Sequence, residues 1–144
     1  MKIRLISILT LLLLLAGAAL GEGVVHMPSQ AYQVVQQVNM ERAKHGLAPL
    51  EMNATLNAAA AVRAEEITRK FSHTRPDGSK WSTVSKATFG ENIARGQKTV
   101  DKVMAAWLTS EGHRKNILRP SFGSIGVSCV KSGNVYYWVQ LFGR

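Results

Sequence analysis

The chain from residue 125 to residue 142 reads IGVSCVKSGNVYYWVQLF, and this stretch decides the fold class. On each side of a turn at 132–134, successive residues belong alternately to one face or the other of an extended run. Two alternating runs joined by a Gly-Asn turn predict an antiparallel β-hairpin. Both faces of the second run are apolar or aromatic, so we expect the sheet to be covered on both sides.

The segment before the hairpin has apolar residues at three- and four-residue steps, which is the helical period. Cap residues and glycines bound three predicted helices: one from Ser29 to Gly46, one opening at Asn53, and one from Thr99 to about Gly112. Residues 79–98 carry short mixed pieces that predict no single element. Helices are followed by strands, and both faces of the sheet must be buried. This order predicts an α+β fold. We expect a three-layer α-β-α sandwich with a mainly antiparallel central sheet.

The N-terminus has the three parts of a secretory signal peptide. Basic residues at the start are followed by an aliphatic run over 6–15 and by small residues over 16–21. We therefore expect residues 1–21 to be a cleaved signal peptide and residues 22–29 to be an N-terminal extension. The protein would then be secreted or periplasmic, with no stable membrane span. An uncleaved segment would instead tether it to a membrane.

The charge and the cysteine content of the chain limit the kinds of partner and of covalent link that we expect. The chain has 18 Lys and Arg against 9 Asp and Glu, a balance that favours anionic surfaces such as cell-wall polymers or lipid headgroups. No basic run is interleaved with aromatic residues, so nucleic acid is not an expected partner. Cys129 is the single cysteine, which rules out an internal disulfide. Its place in a strand-like run predicts that the thiol is buried.

Four residues are the candidates for chemistry. His73 and His113 lie in predicted loops at helix ends, Glu91 lies in a predicted Gly-flanked turn, and Glu111 precedes His113 by two residues. Two histidines and one or two carboxylates can hold a divalent metal such as zinc, or can form a metal-free acid–base group. The spacing of these four residues in the sequence does not decide between a metal site and a metal-free acid–base group. No GxSxG motif is present, so nothing indicates a serine nucleophile.

Six segments occur in an order that resembles a known family. They are 38–42 (VNMER), 46–50 (GLAPL), 71–78 (FSHTRPDG), 90–94 (GENIA), 107–118 (WLTSEGHRKNIL) and 125–127 (IGV). The chain resembles the CAP superfamily of cysteine-rich secretory proteins, antigen 5 and pathogenesis-related 1 proteins, whose domain is also called SCP. It is most similar to the bacterial, YkwD-like branch. The resemblance covers almost all of residues 30–144, which we take as the CAP domain.

This resemblance implies an α-β-α sandwich with a central cleft that holds two histidines and two acidic residues, often with a divalent metal. By motif, His73 matches the first histidine, Glu91 the glutamate of Gly-Glu-Asn, and His113 the second histidine. Glu111 is the candidate for the second acid. His73 and His113 would be the metal ligands, with zinc as the expected ion. The disulfides of the eukaryotic relatives have no counterpart here.

Three functions are compatible with this set. The first is a binding module for an extracellular, cell-envelope or lipid ligand. The second is a metal-assisted hydrolase acting on peptides or peptidoglycan, with Glu91 or Glu111 as general base. The third is a His/Glu network that only ties loops together. Whether the protein is an enzyme therefore stays open at this point.

Overall fold

The computed structural model describes residues 23–144, so the predicted signal peptide lies outside the described residues. The helices are α1 (Pro28–Lys44), α2 (Ala54–Arg69), α3 (Val100–Thr109) and α4 (Glu111–Ile117), with a 3-10 turn at Trp81–Val84. The strands are β1 (Val25–His26), β2 (Glu51–Met52), β3 (Gly90–Arg95), β4 (Ser124–Ser132) and β5 (Val135–Gly143). Within residues 23–144, no helix is long and apolar enough to cross a membrane.

The predicted hairpin forms the centre of the sheet. Strands β4 and β5 pair antiparallel from Ser124 opposite Gly143 to Ser132 opposite Val135. Strand β3 pairs antiparallel with the other side of β5, and β1 pairs antiparallel with the outer side of β4. The short β2 also pairs with β4 and is parallel to it. The sheet is therefore mainly antiparallel, as predicted.

Helices cover both faces of this sheet. The α2 side buries an apolar cluster made of Leu56, Ala59, Ala60, Ala64, Ile67, Ile93, Val130, Val139 and Leu141. The opposite side is covered by α1, α3 and α4, whose buried residues pack with those of the sheet: Val34, Val38, Val103, Trp107, Ile117, Trp138 and Phe142. This arrangement confirms the three-layer α-β-α sandwich. It also explains why both faces of the last strand are apolar.

Two helix boundaries differ from the sequence prediction. Helix α1 begins at Pro28, one residue before the predicted cap Ser29, because proline is well suited to the first helical turn. The third predicted helix is two helices. Ser110 is extended (φ −98°, ψ 119°), so α3 ends at Thr109 and α4 starts at once with Gly112 inside it. The predicted caps of α2 and α3 are confirmed, since both side chains accept a hydrogen bond from the first turn.

Gly126 permits the close approach of α2 to β4. A Cβ atom built on Gly126 would overlap the backbone of Leu56 and Asn57. The Asn57 side chain also accepts a hydrogen bond from the backbone N–H of Val127, at 3.1 Å. The first turn of α2 thus lies directly on the sheet, with backbone against backbone. This contact fixes the position of the helix that carries one side of the site described below.

Arg42 is fully buried, and its guanidinium donates only to backbone carbonyls. Nε donates to Ala48 at 2.8 Å, Nη1 to Ile117 at 2.9 Å and to Arg119 at 3.0 Å, and Nη2 to Phe122 at 3.4 Å. These carbonyls lie in the loop after α1 and in the segment from the end of α4 to β4. One side chain therefore ties two irregular segments together.

Cys129 is 1% exposed on β4, which agrees with the predicted burial. Burial raises the pKa of its thiol to about 12. Since only the thiolate is nucleophilic, we expect the folded protein to react with an aromatic disulfide reagent at least ~100-fold more slowly than a free cysteine. The coloured aromatic thiolate that the reagent releases in mildly alkaline buffer measures this rate. Full reaction should follow unfolding in guanidinium, and rapid reaction of the folded protein would contradict the burial.

Candidate functional site

A cleft of about 600 Å³ opens beside β3, the last strand in the order of the sheet. Three segments line it: the loop that follows α2, the end of β3 with the residues after it, and the α3–α4 junction. The lining residues are Phe71, Ser72, His73, Ile93, Ala94, Arg95, Gln97, Ala106, Trp107, Ser110 and His113. The middle layer of the sandwich ends here between the two outer layers. The cleft is the space between the two helical layers beyond the last strand of the sheet.

His73 is held by a buried carboxylate. Its Nδ1 lies 2.8 Å from Oε1 of Glu91, whose side chain is 0% exposed. Arg63 binds the same carboxylate with two donors, Nε to Oε2 at 2.7 Å and Nη2 to Oε1 at 3.1 Å. A carboxylate only accepts hydrogen bonds when ionised, so Nδ1 of His73 is the donor and carries the proton. In the neutral ring, the other nitrogen, Nε2, keeps its lone pair.

Arg63 also links the Glu91 carboxylate to further charged side chains. Nη1 of this 0% exposed side chain donates to Glu66 at 2.7 Å, and Arg75 donates to the other oxygen of Glu66 at 2.6 Å. Although burial disfavours the charged form of Glu66, the hydrogen bonds from Arg75 and Arg63 lower its pKa. We call the run Arg75–Glu66–Arg63–Glu91–His73 the charge chain. Its two arginines and two glutamates alternate in sign, so each of these charges has an opposite neighbour.

His113 lies on α4, in the first turn of the helix, and lines the cleft from the side opposite to His73. Burial lowers the pKa of His113, and the positive charge that His73 can carry lowers it further. The backbone carbonyl of His113 accepts a hydrogen bond from the side chain of Asn92 at 3.1 Å. Asn116 donates to the other end of the Asn92 amide at 2.9 Å. Strand β3 therefore fixes α4, and α4 presents a neutral imidazole.

The structure brings three of the four sequence candidates together. Glu91 lies on β3 and not in the predicted turn, because it pairs with Leu141 of β5. His113 lies on a helix and not in the predicted loop. Glu111 is 84% exposed, forms an ion pair with Lys115 at 2.7 Å, and does not line the cleft.

A second buried carboxylate behind the cleft belongs to Glu66, which pairs with Arg63 and Arg75. No sequence motif indicated these three residues. A signal for them existed nonetheless. Arg63 falls inside the buried stripe that runs from Ala60 to Ile67 on α2, and a buried arginine requires acceptors for its donors, among which carboxylates also balance its charge.

The described residues hold no group of three or more His, Cys, Asp or Glu side chains that could bind a metal ion. His73 and His113 are the two donors that face the cleft. Both oxygens of Glu91 are taken by Arg63 and His73. These two imidazoles can supply at most two ligands of an ion, which leaves its other positions to water or ligand. This donor set does not fit a closed structural zinc site, which has four protein ligands.

The sequence profile of the cysteine-rich secretory protein family, CAP, matches residues 35–142. The chain belongs to this family. Its CAP domain is 45% identical over 118 residues to the protein YkwD of Bacillus subtilis, a match that covers 76% of this chain and 45% of YkwD. The chain thus spans less than half the length of this relative.

Two solved structures share the fold of this CAP domain. An extracellular protein with an SCP domain from Bacillus anthracis superposes with a TM-score of 0.71 at 26% identity, covering 81% of this chain and 41% of that one. An outer surface protein from Borrelia burgdorferi gives a TM-score of 0.73 at 21% identity, covering 85% and 98% of the two chains. At 21% identity, the likeness to the Borrelia protein shows the fold alone.

Proposed function

We propose that this CAP-domain protein works outside the cytoplasm and binds a component of the cell envelope in the cleft between His73 and His113. The leader-like residues 1–21 support export. The Bacillus anthracis relative is described as extracellular, which supports the same location. The excess of basic residues suits an anionic envelope.

The state of Glu91 is the observation that favours binding over hydrolysis. A general base needs a free lone pair within reach of the substrate. Both oxygens of Glu91 accept hydrogen bonds, from Arg63 and from His73, and the side chain is fully buried. Glu111 points elsewhere and pairs with Lys115. Neither carboxylate is therefore placed to act as the general base of a hydrolase, while the volume of the cleft lies in the range typical of ligand pockets.

A divalent metal, zinc above all, would be held by His73 and His113. Glu91 keeps the proton of His73 on Nδ1, so that Nε2 is ready to donate its lone pair. Burial lowers the pKa of His113 and keeps that ring neutral. Such an ion would supply a positive anchor for an oxygen atom of the ligand. With two protein ligands, we expect it to bind more weakly than in a structural site.

Titration calorimetry tests this proposal with two kinds of probe: zinc chloride, and envelope components in the form of anionic phospholipid vesicles and soluble peptidoglycan fragments. We expect saturable binding of zinc and of one envelope component by the wild-type protein. His73→Ala and His113→Ala should each weaken zinc binding by at least ~10-fold, because each removes one of two ligands. Glu111→Gln is the matched control and should bind like the wild type.

Three results would overturn the proposal. Absence of saturable binding of every probe would remove the binding function. Turnover of peptide or peptidoglycan substrates by the wild type, lost in both His73→Ala and Glu91→Ala, would establish the hydrolase instead. Unchanged ligand binding in the two histidine variants, with a lower melting temperature for His113→Ala, would leave the His/Glu group a purely structural role.

A further inference from the structure

We infer that the cleft takes an extended peptide ending in a free carboxylate, which pairs with the edge of β3, places its carboxylate on Arg95 and donates its last amide N–H to Gln97. This inference rests on the proposed binding function, because it names the ligand class of the same cleft.

The first support is the edge of β3 that pairs with no other strand and at which Arg95 is the exposed residue. Gly96 donates its backbone N–H to Tyr136 of β5 at 2.8 Å, and bonding alternates along an antiparallel pair. Even-numbered residues of β3 therefore bond to β5, while Ile93 and Arg95 direct their N–H and C=O groups away from it. The contact of Trp107 Nε1 with the Ile93 carbonyl, at 3.3 Å, agrees with this direction.

The remaining outward groups at the end of β3 have no hydrogen-bond partner within residues 23–144. They are the N–H groups of Ile93 and Arg95 and the carbonyl of Arg95. Both residues line the cleft, so these groups face the place where a ligand would lie. A strand edge with free donors and an acceptor is what an extended peptide pairs with when it adds to a sheet.

The second support is the charge of Arg95. Its guanidinium lies 4.9 Å from the centre of the Phe71 ring, which holds the side chain at the mouth of the cleft. No carboxylate pairs with it in the part of the chain that the structure describes. It is the one permanently charged residue of the lining, since Glu91 lies behind and is paired with Arg63. A planar, stacked guanidinium is well shaped for a carboxylate.

The third support is Gln97. Its Oε1 is buried and accepts no hydrogen bond from any described residue. Leaving a buried acceptor unpaired is costly, so a rotation of the Gln97 side chain that brings Oε1 to a donor of the ligand would be stabilising. Gly96 (φ +95°) turns the chain between the two side chains, and both line the cleft. Arg95 can bind an anion and Gln97 can accept a hydrogen bond from an N–H group. The two side by side match the end of a peptide, where an amide lies next to the carboxylate. A fatty acid would leave Gln97 unpaired.

The test uses three probes in NMR titrations of the nitrogen-15-labelled protein: acetyl-trialanine with a free carboxylate, the same peptide as its carboxamide, and octanoate. We expect saturable shifts of the Ile93 and Arg95 amides with the acid, and at least ~10-fold weaker binding of the other two probes, which corresponds to about 1.4 kcal/mol. Arg95→Gln should bind acid and carboxamide alike. Gln97→Leu should weaken both peptides while keeping the preference for the acid.

Arg144→Gln is the matched control. Arg144 also stacks on an exposed phenylalanine, with its guanidinium carbon 4.6 Å from the ring centre of Phe89, but it does not line the cleft. This variant should keep the preference of the wild type. The control separates the effect of a cleft cation from that of lowering the net charge.

The inference fails if acid and carboxamide bind equally, if Arg95→Gln keeps the preference, if octanoate binds tighter than the peptide, or if no peptide binding is detected. Its failure can be told from that of the proposed function. If zinc or an envelope component shifts the His73 and His113 signals while the peptide shifts nothing, the binding function stands and the peptide assignment falls. If no probe shifts the cleft, both fall.

Discussion

Replacing Arg63 with methionine should lower the free energy of unfolding by about 3–5 kcal/mol, the usual cost of breaking a buried ion pair from one side. Arg63 is 0% exposed and supplies two donors to Glu91 and one to Glu66. Methionine has a similar length, so packing changes little while a buried carboxylate loses its counter-charge. Urea unfolding followed by tryptophan fluorescence measures the change.

A second variant separates the charge from the packing. In Arg63→Met combined with Glu91→Gln, the uncompensated charge is gone, so the double variant should be more stable than Arg63→Met alone. Lys115→Met provides the exposed comparison, since its partner Glu111 is 84% exposed. That variant should unfold like the wild type. If Arg63→Met also unfolds like the wild type, the charge chain contributes nothing to stability.

Gly126→Ala should cost about 3 kcal/mol or more, because the added methyl group would overlap the backbone of Leu56 and Asn57. Side chains can rotate away from an overlap, whereas a helix backbone must move as a whole. Moving α2 would also disturb the hydrogen bond from Val127 to Asn57 and shift Arg63. We therefore expect a lower melting temperature together with weaker zinc binding in the cleft.

Gly112→Ala is the comparison for this change. Gly112 lies inside α4, and a Cβ atom there meets nothing within 4 Å. Alanine is the better helix former by roughly 0.5–1 kcal/mol, so this variant should be as stable as the wild type or slightly more stable. Equal melting temperatures for Gly112→Ala and Gly126→Ala would show that α2 tolerates a shift away from the sheet.

The sequence was sufficient for the elements whose signals are local. Alternation over 125–142 identified the hairpin, and the side chains of Asn53 and Thr99 identified two helix starts. The break at Ser110 was missed because glycine at 112 is the stronger local breaker. Whether a chain stops at such a glycine depends on what packs around it, and here α4 is held by Asn92 of β3.

The sequence motifs singled out the two histidines that line the cleft, but they did not indicate the charged residues behind them. His73 and His113 were recognisable by their motifs, but the partner of Glu91 is Arg63, which lies 28 residues earlier on another layer. Flanking glycine made Glu91 look like a turn residue, while its pairing with Leu141 puts it in the sheet. No local pattern reports such pairings, because they exist only once the layers are stacked.

Arg42 has a consequence for the environments in which the fold can exist. Many proteins order irregular loops around a bound calcium ion, whose ligands include backbone carbonyl oxygens. Here the guanidinium of Arg42 takes the place of such an ion and donates to four backbone carbonyls. This cation is covalently attached, so no chelator can remove it and no dilution can deplete it. The two segments it joins are therefore ordered by an internal ion, whatever the mineral content of the surroundings.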